Sequence, residues 1–117
     1  MLIPVLASVL LTAQAAQLDP SIEADVACVA SFSYLTSTLP KERQAEMAPL
    51  ITYYVGRIDG KQPGVDLQAA ILRQVAGKSG ADLNSYVQSN TKRCGAEMVQ
   101  MGNRLQAVGK ALTDSGM

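Results

Sequence analysis

The chain is 117 residues long, carries ten Lys and Arg against ten Asp and Glu, and has two cysteines but no histidine or tryptophan. That length allows one domain, and the balanced charge leaves no cationic excess to neutralise nucleic-acid phosphates. Without histidine there is no Ser-His-Asp or Cys-His catalysis, no imidazole metal ligand and no charge switch near neutral pH.

The first element is an apolar run. Residues 2–11 read Leu-Ile-Pro-Val-Leu-Ala-Ser-Val-Leu-Leu, followed by Thr12-Ala13-Gln14-Ala15-Ala16-Gln17. About ten apolar positions are too few to cross a bilayer core of roughly 30 Å as a helix. They suit the h-region of a secretory signal peptide, with Ala13-Gln14-Ala15 as the small-x-small cleavage site. Cleavage is expected after Ala15, with Ala16 as second choice, so residues 1–15 are read as a signal peptide and 16–117 as one mature domain. The first basic residue of the chain is Lys41, which leaves only the amino terminus to charge the n-region. The competing reading, a buried N-terminal helix, is disfavoured by Pro4 and the Ala-rich exit. Residues 1–15 contain no charged side chain, and without them the remaining chain of about 100 residues has an ordinary soluble composition. No later segment approaches 18 apolar residues, so no membrane association is expected after cleavage. The expected location is periplasmic or secreted.

The mature chain reads as helices throughout. Asp19-Pro20 opens the first, with Asp19 as N-cap and Pro20 at the first helical position. Ile22, Val26, Val29, Phe32, Leu35 and Leu39 then recur at helical spacing, and Cys28 borders that stripe. Pro40 ends it. A second helical region covers about 41–58, with Met47, Leu50, Ile51, Tyr54, Val55 and Ile58 on one face; Pro49 must kink it or split it into a short turn and a main segment. Gly60-Lys61-Gln62-Pro63-Gly64 is a loop. Asp66 caps a short third helix to about Ala76, stopped by Gly77. Ser79-Gly80-Ala81-Asp82 has capping-box form and opens a long fourth helix over about 80–112. Its seam is Leu83, Val87, Cys94, Met98, Met101, Leu105, Val108 and Leu112. The expected fold is all-α, an array of about four helices.

Cys28 and Cys94 are an even pair in a chain that reads as exported, which favours a disulfide over a redox or zinc motif. Both lie on helical faces expected to point inward, so the bridge should clamp the first helix to the last. Gly95, Gly102 and Gly109 fall seven apart, each following a seam residue. Interior helical glycine costs about 0.8–1.0 kcal/mol relative to alanine. The line therefore reads either as close approach of another backbone, within the fold or from a partner chain, or as a loosely held tail.

The catalytic inventory is empty. Asp59 and Asp66 flank the Gly/Pro loop without a third acidic ligand; Glu42 and Glu46 sit beside Lys41 and Arg43 on a solvated face; Gly77-Lys78-Ser79-Gly80 lacks phosphate-loop spacing. No metal, cofactor or enzymatic activity is expected. Tyr53, Arg57 and Asp59 fall off the buried stripe near an exposed loop, and Tyr and Arg are favoured binding anchors, so this trio is a candidate recognition patch. The competing reading is an ordinary helix C-terminus with Arg57 near its carbonyl end.

Cys28, Phe32, Tyr53, Gly56, Asp59, Pro63, Asp66 and Cys94, over about 28–94, also carry a resemblance. With the signal peptide, the pattern resembles two groups of small exported helical proteins of Gram-negative bacteria. These are the periplasmic acid-stress chaperones of the HdeA type and the immunity proteins that neutralise secreted peptidoglycan amidases. Phe32 follows Cys28 one residue later than in the chaperones, and the further cysteines usual in the immunity proteins are missing. The resemblance implies a small helical architecture, a single disulfide, an extracytoplasmic compartment and a non-enzymatic role through protein–protein contact. A protein partner of unknown identity is expected, a client on the chaperone reading or an exported hydrolase on the immunity reading, and a homodimer is open.

Overall fold

The computed structural model describes residues 17–116; the expected signal peptide lies outside the described residues. Among the described residues the fold is all-α, with four α-helices: α1 (Pro20–Thr38), α2 (Ala48–Lys61), α3 (Leu67–Val75) and α4 (Gly80–Asp114). A 3-10 segment (Lys41–Met47) joins α1 to α2.

Local chemistry sets the boundaries. The Asp19 carboxylate accepts the Ser21 backbone N–H at 2.9 Å and the Ser21 hydroxyl at 2.8 Å, with Pro20 opening α1 where its missing N–H costs nothing. These bonds, the side-chain one first, hold the Asp19 carboxyl below its usual range. Pro49 splits the second region instead of kinking it. The tighter 3-10 turns end at Met47, and α2 begins with Pro49 in its first turn. Asp66 caps α3 by accepting the Ala69 N–H at 3.0 Å, and Gly77 supplies the left-handed φ of 75° just beyond it. The expected capping box at Ser79 is not formed. Its side chain makes no cap hydrogen bond, and Asp82 contributes only an acidic first turn.

Each of α2, α3 and α4 packs on α1. That placement buries α1 nearly all round, from Asp25 through Phe32, whereas its apolar spacing predicts a single inward stripe. The small residues Ala27, Ala30 and Ser31 let neighbouring helices approach its other sides. Ile22, Val26, Val29 and Phe32 of α1 meet Tyr54 and Ile58 of α2, Ala70 of α3 and Cys94 of α4 in one core.

The Cys28–Cys94 disulfide lies fully buried in that core, with Cα atoms 5.8 Å apart, and it ties the first helix to the last as expected. The Ala24 carbonyl accepts from Arg93 at 3.0 Å, and Leu35 shares a surface groove with Val87. Increasing numbers on α1 thus meet decreasing numbers on α4, so the two run antiparallel. In this register α1 begins level with the turn around Met101, and the later turns of α4 have no α1 beside them. A helix of 35 residues is about 50 Å long, so its last third projects past the bundle.

Candidate protein-contact surface

Of the candidate patch, the structure brings Tyr53 and Arg57 together and leaves Asp59 exposed outside the cluster. Arg57 does not face a solvent-side partner. Its guanidinium reaches the Asp25 carboxylate at 3.3 Å, Glu97 at 3.6 Å and the Tyr53 hydroxyl at 3.3 Å, with its cationic carbon 5.7 Å from the centres of both the Tyr53 and Tyr54 rings. The Tyr53 hydrogen bond, before the nearby carboxylates, raises the Arg57 pKa still further.

Asp25 is the hub that sequence reasoning missed. Its side chain is 2% exposed, and Lys61 at the end of α2 holds its other oxygen at 2.8 Å. Tyr54, fully buried, donates to the Cys94 carbonyl at 3.0 Å or to Glu97 at 2.9 Å. Burial first, and then the Glu97 carboxylate, push the Tyr54 phenol far above its ordinary value. Arg93 completes the array, donating to Glu97 at 3.1 Å. Asp25, Arg57, Lys61, Tyr54, Glu97 and Arg93 thus form a polar layer joining α1, α2 and α4 beside the disulfide. Each of its three cations contacts one of its two carboxylates within the fold, so it positions helices and leaves little free for recognition.

A smaller cluster does the same for α3. Arg73 pairs with Glu23, and Gln74 donates to the Glu23 backbone and side chain, each at 2.7 Å. Tyr86 donates to Gln74, and burial, then the Glu23 charge, raise its phenol pKa. Among the described residues, no group of three acidic or cysteine side chains could hold a metal ion.

The unpartnered surfaces are apolar. An open groove of about 370 Å³ runs between α1, α2 and α3, lined by Val29, Ile51, Val55, Leu67 and Ile71. The larger feature is the projecting end of α4. The expected seam is buried only at Val87 and Cys94, and Met98 still packs against the core. Beyond it Leu105 is 63%, Val108 55% and Leu112 48% exposed. The expectation that the whole seam faces the core is corrected there, because antiparallel α1 begins level with Met101 and does not reach the later turns of α4. The glycine line is clarified too: a Cβ at Gly95, Gly102 or Gly109 would meet nothing within 4 Å, which excludes close backbone approach within the described fold.

The chain was compared with known protein families, curated proteins and solved structures, and none of them matches it.

Proposed function

We propose that this is an exported, non-enzymatic helical protein that works through protein–protein contact, in a chaperone-like manner, in the periplasm or outside the cell. The observation that carries the reading is the projecting end of α4, where Leu105, Val108 and Leu112 form an apolar stripe left exposed among the described residues. Soluble proteins rarely leave a contiguous apolar stripe uncovered unless it meets a partner. The buried disulfide supports an oxidising compartment, and none of the described helices is long and apolar enough to cross a membrane.

Acid would enlarge the contact surface. Protonation of the ten carboxylates leaves ten cations on the chain. Repulsion among those cations would loosen the packing of α2 and α3 on α1, while the Cys28–Cys94 disulfide still holds α1 to α4. The loosened helices would then expose further apolar surface beside the α4 stripe.

The test is aggregation of an acid-denatured client followed by light scattering near pH 2–3. The mature protein should suppress aggregation at near-stoichiometric ratio, and Leu105→Arg should lose most of that effect. No suppression by the wild-type chain refutes the chaperone-like reading. A single tight complex with one exported hydrolase would replace it with inhibition of that enzyme.

A further inference from the structure

We infer that the projecting end of α4 pairs with the same segment of a second copy, forming an antiparallel two-helix dimer contact. The inference concerns the face used in the functional reading above and names one partner for it.

The spacing is that of a coiled coil. Cys94, Met98, Met101, Leu105, Val108 and Leu112 follow a strict alternation of four and three residues, the heptad repeat that keeps one seam facing a partner helix. Cys94 and Met98 meet partners inside the domain; Leu105, Val108 and Leu112 continue the same seam into solvent. Over 99–114 the only charges are Arg104, Lys110 and Asp114, too few for a helix meant to stand alone in water. An isolated segment of about this length carrying two glycines would be marginal as a helix.

Two-fold symmetry selects the antiparallel arrangement. A parallel pair would bring both four-helix bodies to the same end of a seam only about 24 Å long, where they would collide. The antiparallel pair sends them to opposite ends. Its core layers then set Leu105 against Val108 and Met101 against Leu112 of the second copy, each layer occurring twice. In that register Gly102 falls opposite Gly109 of the second copy on one flank. No side chain separates the backbones there, which accounts for the heptad spacing of glycines that the domain itself does not use. On the other flank Arg104 faces the small Ala111, and Asp114 is held by Lys110 of its own helix at 2.7 Å, so no like charges are forced together in the core of the contact. Burial of Leu105, Val108 and Leu112 from both copies gives an area on the order of 1,000 Å² in total, at the small end of specific contacts, so a reversible dimer is expected.

Sedimentation velocity on the oxidised mature chain, from micromolar to submillimolar concentration at neutral pH and without client, reads the association directly. Reversible dimerisation is expected, weakened about tenfold or more by Leu105→Arg; that side chain is exposed, so circular dichroism should show the bundle intact. Mixing Gly102→Cys chains with Gly109→Cys chains under mild oxidation should yield the mixed covalent dimer in preference to either symmetric one. A chain that stays monomeric at every concentration overturns the inference, as does a dimer indifferent to Leu105→Arg or a preference for symmetric cross-links. It is equally overturned if hydrogen exchange finds 101–114 protected only in the chain that keeps residues 1–15, since the leader then covers the seam. A monomer that still suppresses client aggregation removes the dimer and leaves the functional reading standing; a dimer without client activity does the reverse.

Discussion

The phenol of Tyr54 on α2 donates to the backbone carbonyl of Cys94 on α4, 3.0 Å away, so one side chain fastens the second helix to the disulfide-bearing turn of the fourth. Tyr54 also lies 2.9 Å from Glu97, and its ring stands edge-on to that of Tyr53 with centroids 4.9 Å apart.

That arrangement gives the domain an alkaline weakness. The folded phenol titrates above its ordinary value of 10.0, so the folded state disfavours phenolate relative to the unfolded chain. The stabilisation is whole below pH 10 and is lost as pH rises through the folded pKa. Ultraviolet titration should therefore find one tyrosine that ionises only as the helical signal collapses. Tyr54→Phe should remove that step while costing about 1–2 kcal/mol at neutral pH through the lost hydrogen bond.

Asp25→Ala should destabilise the domain by about 3 kcal/mol in urea unfolding, since it leaves Arg57 and Lys61 without their shared carboxylate. Lys61→Ala should cost less, because Arg57 still compensates Asp25 and the lysine is one-third exposed.

Reduction of Cys28–Cys94 should lower stability by about 4 kcal/mol in the chain-entropy account, given the sequence separation of 66 residues. For a domain of this size that corresponds to a fall in Tm of roughly 15 °C or more, read by thermal melts with and without a reductant.

Gly56 lies inside α2 with ordinary helical backbone and open space where a Cβ would stand. Gly56→Ala should raise stability by about 0.8–1.0 kcal/mol. An unchanged or lowered Tm would show that this position is constrained by something other than the helix.

Features governed by neighbouring residues were legible in the sequence. Asp19-Pro20, Asp66, Pro49 and Gly77 act through bonds or steric limits within a few positions, and the structure places each at the boundary its chemistry predicts. The cysteine pair was legible because two inward-facing helical positions leave few alternatives. Asp25 was not, since a lone carboxylate in a helix ordinarily reads as solvated, and its lysine partner is 36 residues away. The same gap misdirected the reading of Arg57, whose inward turn depends on that carboxylate. Heptad spacing alone likewise could not show where the α4 seam leaves the core. That point follows from the antiparallel register with α1 and from where α1 begins.

Contact through the projecting turns of α4 is tested most directly by amide hydrogen exchange of the mature protein, at a concentration low enough to keep it monomeric, with and without a denatured client. Addition of client should slow exchange across 101–114 and leave the amides of α3 unchanged. Unaltered exchange across 101–114, or protection confined to the groove around Ile51, Val55 and Ile71, would contradict it.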